Sequence, residues 1–142
     1  MTSVLNRERR AELLAASDPI ELAALAERCL ESATPTLVTG PEVGMVMLQV
    51  REPVARERFY LGEVLVTRAE VDLDGAQGWA MVMGSDRVRA LAAAVCDAEV
   101  QGDRAWAGEV QALCESTERA ISEADVRERA ELAATEVAFE EL

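Results

Sequence analysis

The stretch FYLGEVLVTRAEVDLDGAQGWAMVMGSD, Phe59 to Asp86, decides the fold of this 142-residue chain. From Leu65 the odd positions read Leu65, Thr67, Ala69, Val71 and Leu73, while Arg68, Glu70, Asp72 and Asp74 fill the even ones. A period of two predicts a strand with its apolar face in a core and its charged face in water. Asp74-Gly75 then supplies a turn, because glycine tolerates the positive φ of tight hairpins. A second apolar run, Gly78 to Gly84, carries Trp79, Met81, Val82 and Met83. Ser85 and Asp86 follow, either able to cap a helix beginning near Arg87. The unit is a β-hairpin feeding a helix.

Upstream, Arg58 to Asp74 reads as one long strand with a bend expected at Gly62. The segment EPVARE, 52–57, is a loop, since Pro53 cannot donate to a central ladder. Met45–Arg51 reads as a strand apolar on both faces, and so as a central one. Thr36–Thr39 is a further short strand before Gly40-Pro41. Residues 4–16 form a first helix with Leu5, Leu13 and Leu14 apolar. Asp18-Pro19-Ile20-Glu21 starts a second, with Asp18 as cap and Pro19 in the first turn. It runs to about Glu31, turns Leu22, Leu25, Ala26, Cys29 and Leu30 inward, and stops at Thr34-Pro35.

Downstream, the helix from Arg87 to about Val100 places Val88, Leu91, Ala92, Val95 and Cys96 on one face. Gly102-Asp103 breaks it. The last helix carries a stripe of Trp106, Val110, Leu113, Thr117, Ala120, Ile121 and Ala124, and is mostly polar beyond Asp125. The expected architecture is α+β, one domain over residues 1–142. A small antiparallel sheet of three to four strands has helices packed on one face, an N-terminal helical pair and a long C-terminal helix.

Composition narrows the function. The net charge is −13, with fourteen Arg, no Lys and no His. Nucleic acid is a poor partner for such a surface, because phosphate contacts need clustered positive charge. No apolar run approaches the ~18 residues of a membrane span. The first residues, MTSVLNRERRAELL, lack the apolar core of a signal peptide, so a cytoplasmic location is expected. Residues 97–142 hold thirteen acids and four Arg, an excess that serves either as a solvated face or as a surface for a basic partner. Cys29, Cys96 and Cys114 lie in helical patterns with no C-x-x-C, as reduced buried thiols do; no metal is expected.

The search for chemistry is mostly empty. Histidine, the commonest general acid and base, is missing, and no Walker, G-x-G-x-x-G or G-x-S-x-G motif occurs. Glu63 and Thr67 share one side of the long strand while Arg68 faces the other, so they form no constellation without a bend. Arg51, Arg56, Arg58, Arg68, Arg87 and Arg89 suit anionic groups, but eight acids share their region. Gly84-Ser85-Asp86 opens a helix and so resembles an anion cradle, yet Asp86 there repels an anion and serves better as a cap.

The run Gly62-Glu63, Val66-Thr67-Arg68, Val71, Leu73-Asp74-Gly75, Gly84 and Asp86 resembles the PhnG subunit family of the carbon–phosphorus lyase system. The resemblance continues through Pro41–Val46 and Ser17–Leu22. It implies an accessory subunit needed with PhnI, PhnH and PhnL to convert ATP and a phosphonate to α-D-ribose 1-phosphonate 5-triphosphate plus adenine. PhnI is the most direct partner, with PhnH and PhnJ in a hetero-oligomeric core. It assigns this subunit no active site and no bound cofactor, although the complex uses ATP. Gly62, Glu63, Thr67, Arg68, Gly84 and Asp86 become the candidates to face a partner or ligand. The chain departs from the family in the EPVARE loop, usually Gly-rich, in Ser85 for Arg, and in Arg89 for His. The alternative is a stand-alone homodimeric domain binding a small anion, with no lyase partner; a self-sufficient enzyme is a third reading. For a core subunit, apolar surface awaiting a partner is expected at Phe59, Tyr60, Val137 and Phe139.

Overall fold

The computed structural model describes residues 5–140, with side chains through Thr135. The elements run α1 (Arg7–Ala16), α2 (Pro19–Glu31), β1 (Pro35–Arg51), β2 (Arg58–Leu73), β3 (Ala76–Met83), α3 (Arg87–Gln101) and α4 (Ala107–Glu140). The strands form an antiparallel sheet in the order β1-β2-β3, giving the α+β architecture expected.

Helix ends follow local chemistry. The Asn6 Oδ1 accepts from Arg9 N at 2.8 Å, so α1 begins at Arg7 rather than at residue 4. One Asp18 oxygen accepts from both Ile20 N and Glu21 N, and Pro19 occupies the first turn. Asp86, not Ser85, caps α3, and Gly102 ends it.

The hairpin face is as the period of two dictates. Thr67, Ala69, Val71 and Leu73 of β2 and Ala80 and Val82 of β3 are buried, and α3 packs on them. Leu65, on the same parity, is exposed because the helical cover has ended there. The charged side is less free than expected: Glu70 accepts from Thr39 Oγ1, and Asp72 Oδ1 accepts from Gly75 N. A Val71→Asp substitution, placing a carboxyl 3% exposed against α3, should cost about 2–3 kcal/mol in a urea titration. A silent variant would show that the register Val71↔Gly78 is wrong.

Three expectations are corrected. The two upstream strands are one, Pro35–Arg51; register shifts between Leu37 and Thr39 and between Thr39 and Glu42 absorb Gly40-Pro41. That strand lies at the sheet edge, where a proline is tolerated. β2 is the central strand. Second, Val88 is exposed, and α3 is instead buried around its whole circumference from Ala92 to Glu99. It meets β2 and β3 on one side and α1, α2 and α4 on the other, so small alanines line it. Third, the stripe of α4 stops packing at Thr117; Ala120, Ile121 and Ala124 are exposed, as is every residue from Arg119 to Thr135.

Candidate functional site

Beyond the helical cover, β1 and β2 continue as a two-stranded ribbon that is bare among the described residues. β3 accompanies β2 only from Val66 to Leu73, whereas β1 pairs with it out to Arg51↔Arg58. The turn at the tip is built by Glu52: its carboxylate accepts from Val54 N and Ala55 N, and its amide donates to Glu57 O. Arg56 completes the reversal at φ 58°. Met45, Met47, Leu48, Phe59, Tyr60, Leu61 and Leu65 are all exposed on this ribbon, Met47 at 59% and Tyr60 at 64%. A hairpin with neither a third strand nor a helix behind it is at best marginally stable in water. A contiguous apolar surface of this kind marks a docking site. Phe59 and Tyr60 are thus exposed as expected; the Val137 and Phe139 side chains lie outside the described residues.

The candidate residues fall on and beside the ribbon's root. Gly62 pairs with Leu48 and Glu63 with Met47, and the register then skips Leu61, which is the irregularity expected at Gly62. Thr67 is fully buried and donates through Oγ1 to Gly84 O at 2.7 Å. Gly84 N donates to Leu65 O at 2.8 Å, and its φ of 89° turns the chain out of β3. Thr67 and Gly84 therefore close the end of β3 together, and Asp86 caps the helix that follows. Arg68 points to the other face and pairs with its cross-strand neighbour Glu42, both about half exposed. Such a surface pair is worth ~0–1 kcal/mol. Glu63, Thr67 and Arg68 do not converge. The α3 N-terminus is filled by its own Asp86 carboxylate, which accepts from Arg89 N at 3.0 Å. Arg89 donates to Ala15 O at the end of α1, a structural use of its guanidinium.

Two buried carboxylates escaped the sequence reading, although both interrupt an apolar run, AAAVCDAEV, 92–100. Asp97 accepts from Arg7 at 2.9 Å, from Arg10 at 2.8 and 3.0 Å, and from Trp79 N at 3.0 Å. Glu99 accepts from Arg104 Nε at 3.1 Å and Trp106 N at 3.0 Å. Both are fully paired and clamp α1, β3 and the start of α4 to α3.

The three cysteines are free and buried. A hydrogen bond with Cys29, together with burial, pushes the Cys96 thiol far above the ordinary thiol range. Burial pushes Cys114 up from 9.0 to about 11. A raised thiol pKa favours the folded state while the thiol is neutral, so this contribution is whole below pH 9 and is lost as pH rises through 11. The urea midpoint should therefore fall between pH 9 and 11, and fall less in Cys114→Ala, which starts lower at pH 7. Equal alkaline slopes for both proteins would refute this. Among the described residues no three His, Cys, Asp or Glu side chains are grouped to hold a metal, and no helix is long and apolar enough to cross a membrane.

Residues 5–142 match the family described as phosphonate metabolism protein PhnG. The chain belongs to the PhnG family. Among PhnG relatives, the alpha-D-ribose 1-methylphosphonate 5-triphosphate synthase subunit PhnG of Rhizobium meliloti (strain 1021) is 39% identical over 103 residues. That match covers 72% of this chain and 65% of the relative, less than two thirds of its length.

Proposed function

We propose that this chain is an accessory, scaffolding subunit of a phosphonate-activating complex of the carbon–phosphorus lyase type. In that role it assembles with PhnI most directly, and with PhnH and PhnJ in the core and PhnL for activity. The complex converts ATP and a phosphonate to α-D-ribose 1-phosphonate 5-triphosphate and adenine, and the nucleotide is bound outside this chain. The observation that carries the reading is the β1–β2 ribbon, apolar on both faces and uncovered. The paired state of the buried carboxylates supports a structural role. The homodimeric anion-binding alternative loses its best site, because Asp86 occupies the one helix start that suggested it.

Expressed alone, the chain should self-associate through the apolar faces of the ribbon, leaving the β2 edge open, and co-expressed with PhnI it should elute as a defined heteromeric complex. Met47→Lys with Tyr60→Lys should leave the melting temperature of the chain nearly unchanged and abolish that complex. A stable monomer that ignores PhnI in gel filtration would sink the proposal.

A further inference from the structure

The edge of β2 that faces β3 is only half used. Gln77 O accepts from Arg7, and Trp79 N donates to Asp97, so the odd residues of β3 point away from β2. The bonds to β2 therefore run through Gly78, Ala80 and Val82, opposite Val71, Ala69 and Thr67. Alternation carries the same orientation down β2 to Leu65, whose carbonyl takes the final bond from Gly84 N, and then to Glu63. At Gly84 the chain leaves for α3, while β2 runs on from Leu65 to Arg58. The Glu63 N–H and C=O thus face an empty track in line with β3, eight residues or about 25 Å long. Among the described residues nothing occupies it.

Open backbone groups ask for a strand. The side chains flanking the track say which kind. Met45 and Leu65 lie on one face of the ribbon and Val46 and Val64 on the other, so an added strand meets apolar neighbours on both sides. Charge separates a foreign strand from a second copy. Residues 43–64 hold three Arg and three Glu, leaving the whole −13 on the rest of the chain. A second copy would bring the same charge against it, whereas a partner with a basic margin is drawn in.

We propose that the β2 edge at Glu63 takes an apolar β-strand of a basic partner polypeptide, laid in the track that β3 leaves at Gly84. The inference rests on the subunit reading above and deepens it: the ribbon is extended by a strand as well as covered. This is β-augmentation, in which backbone bonds hold the segment and side chains select it.

Hydrogen exchange on the wild-type chain, alone and with PhnI, gives the direct test. The Glu63 and Leu65 amides should exchange fast alone and be protected in the complex. Glu63→Pro removes an N–H that no strand of this chain uses, so the isolated variant should keep its melting temperature. Its affinity should fall roughly tenfold or more, while Glu63→Ala binds like wild type. If no wild-type complex forms, the subunit reading itself has failed. If the complex forms with both amides still exchanging, or with Glu63→Pro binding normally, strand addition alone is overturned. Concentration-dependent protection in the isolated chain would replace the basic partner with a second copy.

Discussion

Asp97→Ala should destabilise the chain by about 3–5 kcal/mol, the usual cost of removing one partner from a buried ion pair. Asp97 is 1% exposed and Arg10 is 5% exposed, so the guanidinium left behind has little access to water. It would retain only its 2.6 Å bond to Gln101 Oε1. Arg7 would keep only Gln77 O, and the Trp79 amide would lose its acceptor. A domain of this size has only ~5–15 kcal/mol in hand, so the loss should be plain in a urea titration. A second substitution tells charge from packing. Arg10→Met on the Asp97→Leu background removes both charges and should recover much of the loss, because apolar replacements of a buried pair are often neutral. If Asp97→Ala melts with the wild type, the clamp between α1 and α3 is not formed.

Gly78→Ala should be at least as severe, above ~4 kcal/mol, for a steric reason. A Cβ at Gly78 would lie 2.0 Å from the Ala94 carbonyl oxygen, 2.6 Å from Ala98 N and 2.7 Å from Ala98 Cβ. The first two are helix backbone and cannot rotate away. α3 would have to lift from β3, opening contacts along the whole buried helix. Ala98→Gly relieves only the third contact and should not rescue the variant. A soluble Gly78→Ala protein melting within a few degrees of wild type would show that the helix sits farther from the sheet.

The parts of this structure that were legible in the sequence are those whose cause is local. Asp74-Gly75 makes a turn, and Asp18 and Asp86 accept from amides two or three residues away. Gly102 stops a helix by its own backbone. The position of β1 was not legible, because MVMLQV, 45–50, reads the same whether a strand is buried on both faces or bare on both. Only the lengths of the neighbours decide it. β3 stops at Met83 and α3 begins at Arg87, so among the described residues neither reaches the ribbon. The stripe on α4 fails for the same reason: Ile121 and Ala124 continue the spacing after α1 and α2 have run out. The pairing of Asp97 with Arg7 and Arg10 spans 90 and 87 residues, and no local pattern announces a partner that far away. Of the candidate site, Phe59 and Tyr60 were readable as surface, whereas Met45 to Leu48 looked like core.

The clamp at Asp97 also fixes an order of events during synthesis. α1 is made first, yet the acceptor for Arg10 emerges 87 residues later, a delay on the order of 4–17 s at ~5–20 residues per second. The ribbon precedes α3 in the chain and so leaves the ribosome before it, with its methionines and aromatics in water and no α3 to seat its root. The nascent chain thus shows its most adhesive surface before it has a body. Chains stalled before Asp97 should be cut by protease throughout α1, and chains stalled far enough past Gly102 for α3 to have left the exit tunnel should resist. On this account chaperone capture, or a partner translated alongside, bears on the yield of folded subunit more than the stability of the finished fold does.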